Sequence, residues 1–315
     1  MSELKKIATR LAYGEALREF GADPRIIAMD ADLGVSTMSA IFGQAYPERY
    51  IDMGIAEANM AGVAAGLATT GKIVLIHSFA MFAPGRMYDQ VRNSIVFPRL
   101  NVKVVGSHAG VTVGQDGPTH QALEDIALMR ALPGMVVLSP CDANETRLAL
   151  RAMLDYEGPC YMRTGRLAVD QITQDIPGYR FELGKGCTLR DGKDVTIVAT
   201  GYMVAQALKA ADALEQEGVS ARVIDIHTIK PLDQELLIAA ARETGAIVTA
   251  EEHNIIGGLG GAVAELLVEN HPVPMERIGV RDTFGRSGDP ASLVEYYKLT
   301  PADIAQAAKK AISRK

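Results

Sequence analysis

Short apolar runs rich in β-branched residues alternate along the chain with longer segments whose apolar residues recur at helical spacing. Each short run is apolar on both faces, as expected of a strand buried in a parallel sheet. In the first half we predict strands at 25–30, 72–76, 102–107 and 135–139, and helices at 9–20, 57–69, 87–95, 121–131 and 143–154. This alternation is typical of an α/β domain in which helices cover both faces of a mostly parallel sheet.

A polar segment at 165–182, which contains Pro177 and Gly178, interrupts the pattern, which then resumes. The second half predicts strands at 195–200, 221–226 and 246–250, and helices at 204–218, 234–243, 261–269 and 301–312. We therefore expect two consecutive α/β domains, each a mostly parallel sheet flanked by helices, with a boundary near residue 180. A length of 315 residues agrees with two domains.

Composition excludes several functional classes. The net charge is −6 and no block of Lys and Arg occurs, which disfavours nucleic acid as a partner. No apolar run approaches the roughly 20 residues of a membrane helix, and residues 1–6 lack the apolar centre of a signal peptide. The odd number of cysteines, Cys141, Cys160 and Cys187, favours a reducing cytoplasm, where we expect all three to be buried small hydrophobes.

Two segments of the first half carry candidate chemistry. Glu57 stands at the head of a helix made almost wholly of small residues, after a turn containing Gly54. It is either a catalytic acid or a carboxylate favoured by the helix N-terminus. Phe79 and Phe82 follow a buried strand, at the end where α/β sheets bind ligands. Ordinary core packing is the alternative for these two rings.

The loop at 108–121 is the most informative stretch, because it holds two His, one Asp and three Gly directly after a strand. Long, polar, glycine-rich loops are usually functional or disordered, and Pro118 with the helix that follows favours order. His108 and His120 are too far apart for a helical metal pair, so we predict no metal site here. In the second half, the glycines at 257–261 do not match a phosphate-binding loop, and 251–253 (Glu-Glu-His) is a surface cluster, an interface cluster or a site.

The motifs GIAEANM, SFAMF and GQDGPTHQALEDIALMRALPGM, in this order, resemble the C-terminal part of transketolase. The resemblance implies a pyrimidine-binding domain of the thiamine diphosphate fold at 1–172, a linker at 173–186 and a transketolase C-terminal α/β domain at 187–315. The family's diphosphate-binding domain normally comes first, and its GDG-type motif has no counterpart in this sequence. The chain thus resembles the smaller subunit of a split transketolase, which implies a separate N-terminal subunit and an α2β2 assembly.

The resemblance also implies roles for individual residues. Glu57 would bond N1′ of the cofactor's aminopyrimidine as a buried acid, and Phe79 and Phe82 would pack on that ring. Asp32 would lie beside the cofactor or across the subunit interface. Arg10, Ser36, His108 and Arg163 would bind the substrate phosphate. Asp116 would contact an acceptor hydroxyl, and His120 would contact the donor's reacting end as a catalytic residue. The partner subunit would hold the Mg²⁺ or Ca²⁺ that accompanies the diphosphate. A third aromatic of the family is Gly85 here, so the ring pocket is looser or is completed by Tyr88.

The resemblance implies transfer of a two-carbon glycolaldehyde unit from a ketose phosphate to an aldose phosphate. Alternatives are a deoxyxylulose-phosphate-synthase-like enzyme, a 2-oxo-acid dehydrogenase β subunit and a non-catalytic interaction subunit. Three residues also have ordinary alternatives: Arg10 as a surface charge, Arg163 as the partner of an acid, and Ser36 as a helix cap.

Overall fold

The computed structural model describes residues 6–315, so residues 1–5 of the signal-peptide and domain predictions lie outside the described residues. The strands are β1 (Ile7–Ala8), β2 (Ile26–Asp30), β3 (Tyr50–Asp52), β4 (Ile73–Phe79), β5 (Val102–Ser107), β6 (Val136–Leu138), β7 (Cys160–Arg163), β8 (Ala168–Val169), β9 (Cys187–Arg190), β10 (Val195–Ala199), β11 (Ala221–Asp225), β12 (Thr228–Lys230), β13 (Ile247–Asn254) and β14 (Met275–Val280). The α-helices are α1 (Thr9–Phe20), α2 (Gly34–Thr37), α3 (Ala40–Ala45), α4 (Glu57–Ala68), α5 (Phe82–Gln90), α6 (Asp125–Arg130), α7 (Ala143–Asp155), α8 (Met203–Gln216), α9 (Gln234–Thr244), α10 (Leu259–Asn270), α11 (Pro290–Tyr296) and α12 (Pro301–Ile312).

The first sheet has seven strands in the order β12-β6-β7-β5-β4-β2-β3, in which β12 is antiparallel to its neighbour and the other pairs are parallel. Helices cover both of its faces, because successive residues of a strand point to opposite sides. Ile73 and Leu75 of β4 lie in the apolar core with α1 and α7, whereas Val74 and Ile76 lie in the core with α4. This double burial explains the continuous apolar runs in the sequence.

The second sheet has five strands in the order β14-β13-β10-β11-β9, with β9 antiparallel at one edge. Ile197 and Val223 pack with α8 and α12 on one face, and Val198 and Ile224 pack with α9 and α10 on the other. The predicted fold class, two α/β units with mostly parallel sheets and flanking helices, is confirmed.

The two units are tied together by β12. After β11 of the second sheet the chain crosses to the edge of the first, where Thr228 pairs with Leu138 of β6. Ile229 lies in the same apolar core as Met135 of the first unit and Leu266 of the second. The two sheets therefore share one apolar core, which matters for the loop described below.

Some predicted elements differ in their limits. The helix predicted at 87–95 begins earlier, at Phe82, and becomes a π-helix over Val91–Val96. Pro84 does not prevent this early start, because the first turn of a helix needs no backbone N–H from a proline. The burial prediction is confirmed for Cys141 and Cys160, while Cys187 on edge strand β9 is partly exposed. No helix among residues 6–315 is long and apolar enough to cross a membrane.

Candidate functional site

The candidate site lies at the carboxyl-terminal edge of the first sheet, where the segments after β2, β4 and β5 meet. Phe79 is the last residue of β4, Phe82 begins α5, and His108 follows β5 directly. Ligands bind at this edge in parallel α/β sheets. The sheet thus brings together side chains as far apart in the sequence as Phe79 and His108.

Glu57 faces this edge from the first turn of α4. The preceding turn contains Gly54, whose φ of +66° lies in the left-handed region that favours glycine. The Glu57 residue is only 5% exposed, and its Oε1 accepts a hydrogen bond of 2.8 Å from Nη1 of Arg86. The carboxyl group of Glu57 therefore lies between the N-terminal end of the helix and the guanidinium of Arg86.

Four rings form an aromatic cluster beside Glu57. The ring centroids of Phe79 and Phe82 are 5.9 Å apart with nearly parallel planes, and His108 stacks on Phe79 at 4.0 Å. His120 meets Phe82 edge-on at 5.3 Å. The guanidinium carbon of Arg86 lies 4.1 Å from the centroid of Phe82. A planar group on Phe82 therefore also reaches the carboxyl group of Glu57.

The loop at 108–121 is ordered by glycines and by one glutamine. Gly110, Gly114 and Gly117 have φ of +81°, +86° and +78°, which side-chain-bearing residues rarely adopt. Gln121 donates from Nε2 to the carbonyl oxygens of Val111 and Gly114, at 3.3 and 3.2 Å, and so closes the loop on itself.

Glu252, on β13 of the second sheet, anchors this loop. Its Oε1 accepts the Thr112 N–H at 2.6 Å, and a Cβ at Gly110 would lie 2.2 Å from its Cδ, so only glycine fits there. Burial raises the pKa of Glu252 to about 7, although the charge of Arg163 and the hydrogen bonds from Thr112 act to lower it. The 251–253 cluster, left open at the sequence level, is buried, and Glu252 positions the loop.

His108 is held as a neutral imidazole. It is 3% exposed, and burial, followed by the charges of Arg10, Arg166 and His120, lowers its pKa to about 3. Its Nδ1 lies 2.9 Å from Oγ of Ser107. At neutral pH His108 therefore offers a hydrogen bond to a ligand without adding charge.

A basic surface lies next to His108 and is formed by Arg10 and Arg166. Burial, and then the charge of Arg166, lower the pKa of Arg10, so the two guanidinium groups repel each other. Arg10 donates to the carbonyl oxygen of Ser36 at 2.7 Å, while its buried Nε has no hydrogen-bond partner among the described residues. Two neighbouring guanidinium groups, one of them with an unpaired donor, fit an anion.

Arg163 lies buried behind this surface, and its contact with the substrate stays a prediction. The residue is 6% exposed, and its guanidinium bonds both oxygens of Asp125, with Nε 2.9 Å from Oδ2. Its remaining N–H groups reach backbone carbonyl oxygens of Glu252 and Ala122. Arg163 thus has the acid partner named as its alternative, and the hydrogen bonds of its guanidinium are made to Asp125 and to backbone carbonyls.

The other predicted residues lie around this centre. Asp116 is exposed, with Oδ2 3.5 Å from Nη1 of Arg166, and Ser36 contributes its backbone carbonyl to Arg10. Asp32 is exposed at φ +62° after β2. A Cβ at Gly85 would contact only Cε of Met81, at 3.8 Å, so the space beside the rings is open. Tyr88 packs against the apolar core and leaves that space open.

Arg86 and Arg166 escaped sequence reasoning, and Glu252 was singled out only within the 251–253 cluster, with its role left open. A signal existed for Arg86, because it lies four positions after Phe82 on one helix, where side chains are neighbours. Arg166 lies in the same YMRTGR segment as Arg163, three residues beyond the end of β7. The local sequence does not reveal that Glu252 anchors the loop, because its partner Thr112 is 140 positions away.

Comparison with known proteins identifies the family. Residues 5–171 match the model of the transketolase pyrimidine binding domain, and residues 184–304 match that of the transketolase C-terminal domain. A putative transketolase C-terminal section of Methanocaldococcus jannaschii is 47% identical, over 94% of this chain and 94% of that protein. The 6-deoxy-6-sulfo-D-fructose transketolase subunit SqwH of Clostridium sp. (strain MSTE9) is 48% identical, over 97% of this chain and 95% of that protein.

A solved structure described as a split gene transketolase, inactive beta4 tetramer, is also similar. It is 51% identical, with a TM-score of 0.89 over 99% of this chain and 100% of that chain. Both halves of the sequence and the two-sheet fold thus agree with one family. The chain belongs to the transketolase family.

Proposed function

We propose that this chain is the C-terminal subunit of a thiamine-diphosphate-dependent transketolase, which transfers a two-carbon unit from a ketose phosphate to an aldose phosphate. One observation carries the proposal: a single planar guanidinium stacks on Phe82 and bonds Glu57. The space between the aromatic ring and the acid therefore accepts a planar, nitrogen-rich group. The aminopyrimidine of thiamine diphosphate is such a group.

In this proposal Glu57 holds N1′ of the aminopyrimidine, Phe79 and Phe82 bind its ring face, and Asp32 lies beside the cofactor. When bound, thiamine diphosphate supplies a carbon nucleophile that cleaves the ketose next to its carbonyl group. Burial of Glu57 keeps water away from the proton that this acid shares with the ring nitrogen. The Mg²⁺ or Ca²⁺ that accompanies the diphosphate is assigned to the partner subunit.

Two polar side chains of the loop contact the sugar in this proposal. His120 is half-buried and lies edge-on to Phe82, with Nδ1 2.9 Å from Oγ1 of Thr119, which leaves its Nε2 edge to exchange a proton with the donor. Asp116, exposed beside Arg166, accepts a hydrogen bond from an acceptor hydroxyl. The anchor at Glu252 fixes both residues through the loop.

The substrate's anionic end is assigned to Arg10, Arg166 and the neutral His108, with Ser36 behind Arg10. Arg166, rather than Arg163, takes the predicted phosphate role, because its exposed guanidinium lies beside His108 and Arg10. Phosphate and sulfonate are both tetrahedral anions that arginine binds through paired hydrogen bonds. A relative named for a sulfo-sugar makes both classes candidate substrates.

The need for an N-terminal partner is supported by the relatives. A protein named a C-terminal section, and a chain of a split gene transketolase, are covered over 94% and 100% of their own lengths. We propose an α2β2 assembly in the cytoplasm, with domain limits at 1–172 and 187–315. Adjacent genes that encode the missing half are the first place to find the partner.

We expect the purified chain to show no transketolase turnover by itself, and activity to appear when an N-terminal subunit is co-expressed. The physical reason is that Glu57 and the rings hold only the pyrimidine end of the cofactor. A panel of ketose phosphates, a sulfonated ketose and a 2-oxo acid, each with an aldose phosphate acceptor, measures donor choice. Robust turnover by the chain alone would contradict the two-subunit proposal, and turnover of the 2-oxo acid alone would favour a synthase-like or dehydrogenase-like reaction.

We expect Arg166→Ala to raise KM for a phosphorylated donor by about 10- to 100-fold, as one or two charged hydrogen bonds are lost. Its effect on an unphosphorylated donor should be small. Arg166→Lys keeps the charge but loses the paired hydrogen-bond geometry. Its KM for the phosphorylated donor should therefore lie between those of the wild type and Arg166→Ala. Steady-state kinetics of the complex measure this difference. Equal increases in KM for both donors would remove the anion role from Arg166.

A further inference from the structure

Arg86 makes two contacts that the fold does not require. Its side chain is 48% exposed, on the first turns of α5, and carries no apolar packing of the core. Its guanidinium nevertheless turns inward, to within 2.8 Å of Oε1 of Glu57 and 4.1 Å of the centre of Phe82. A long, half-exposed side chain loses rotamer freedom in this position, so the two contacts hold it there.

These two contacts are the same ones that the proposed function assigns to the aminopyrimidine. A guanidinium is planar, carries several N–H donors and stacks on aromatic rings. An aminopyrimidine is also planar and rich in nitrogen, and it bonds carboxylic acids while it stacks. At 4.1 Å from Phe82 the guanidinium leaves no room for a second plane on that ring face. The two groups therefore exclude each other.

We propose that Arg86 is a displaceable stand-in for the cofactor: in the chain without cofactor it occupies the pyrimidine position, and it must leave before the ring can bind. This inference rests on the proposed function, because it takes Glu57 and Phe82 as the contacts of the ring. It adds a competitor within the chain itself, which keeps a buried acid and an aromatic face covered until the cofactor arrives.

The surroundings of Arg86 allow the exchange. The space beside the preceding Gly85 is open, since a Cβ there would contact only Cε of Met81 at 3.8 Å. The next residue, Met87, has non-helical backbone angles, with φ −124° and ψ 18°, so the helix is already irregular at this point. The guanidinium can therefore rotate into solvent without disturbing the buried core.

The experiment is calorimetric titration of thiamine diphosphate with Mg²⁺ into the complex of this chain with its N-terminal partner. Arg86→Ala should lower Kd by about five- to tenfold, because a half-exposed ion pair and one stacking contact no longer compete. Arg86→Gln, which keeps much of the length but not the charge, should lower Kd by a smaller factor. Arg92→Ala is the matched control, an exposed arginine on the following π-helical turn that bonds only Asn93 among the described residues.

The outcomes separate the two proposals. An unchanged or higher Kd in both Arg86→Ala and Arg86→Gln, with Glu57→Ala weakening binding, would overturn the stand-in role and leave the proposed function intact. If Glu57→Ala does not weaken binding, or the wild-type complex does not bind the cofactor, the proposed function fails instead. A Kd that falls for Arg86→Ala and stays constant for Arg92→Ala supports the stand-in. Equal thermal melting of the variants shows that the fold is unchanged.

Discussion

Replacing Glu57 with Gln is expected to lower kcat of the two-subunit complex by about 10²- to 10⁴-fold, the range of general acid–base catalysis. Glutamine keeps the size and a hydrogen bond but cannot share or move a proton. Glu57 lies at the head of α4, 5% exposed, in contact with the group that stacks on Phe82. Proton exchange at the thiazolium C2, followed by NMR, isolates this step from substrate binding.

Stability controls make the result specific. The Arg86–Glu57 ion pair is half-exposed on one side, and such pairs contribute about 0–1 kcal/mol, so Glu57→Gln should melt near the wild-type temperature. Glu48→Gln is a matched control, because Glu48 is an exposed acid at the surface away from the rings. Exchange at C2 close to the wild-type rate in Glu57→Gln would refute the assignment of Glu57.

Strands such as β4 and β10 could be predicted because their signal is local. β4 and β10 are apolar on both faces, and residues of that kind have few alternatives to a buried strand. β7 and β14 were missed, since the sequences CYMR and MERIGV mix polar and apolar residues. They are strands because β5, β6 and β13 offer them hydrogen-bonding partners, and that information is distant in sequence.

The residues of the site also divide into those that the local sequence predicts and those that it does not. Glu57, Phe82 and His108 follow strands whose ends share one sheet edge, so their approach could be anticipated. Which of Arg163 and Arg166 binds the anion could not be anticipated from the sequence. Both lie in one short segment, and they differ only in the direction that their side chains face. That direction is set by Asp125, a buried acid on α6, and by the end of β7 at Arg163.

Arg163→Ala is expected to destabilise the chain by about 3–5 kcal/mol, because it leaves the buried carboxyl group of Asp125 without its partner. Asp125 is fully buried and also accepts a hydrogen bond of 2.7 Å from Tyr161, and Arg163 further bonds the backbone carbonyl of Glu252 beside the loop anchor. Unfolding of the full chain in denaturant measures the loss, with Arg166→Ala as the matched control, since Arg166 is exposed and should cost less than about 1 kcal/mol.

A second substitution tests the cause of that destabilisation. Asp125→Asn in the Arg163→Ala background removes the unpaired charge, and it should recover part of the lost free energy of unfolding if that charge is responsible.

Kinetics of the complex then distinguish a structural role of Arg163 from a role in substrate binding. If Arg163→Ala unfolds like the wild type and raises KM for phosphorylated donors alone, the anion contact belongs to Arg163 after all. If it is destabilised while Arg166→Ala raises that KM, the buried arginine supports the fold and the exposed one binds the substrate.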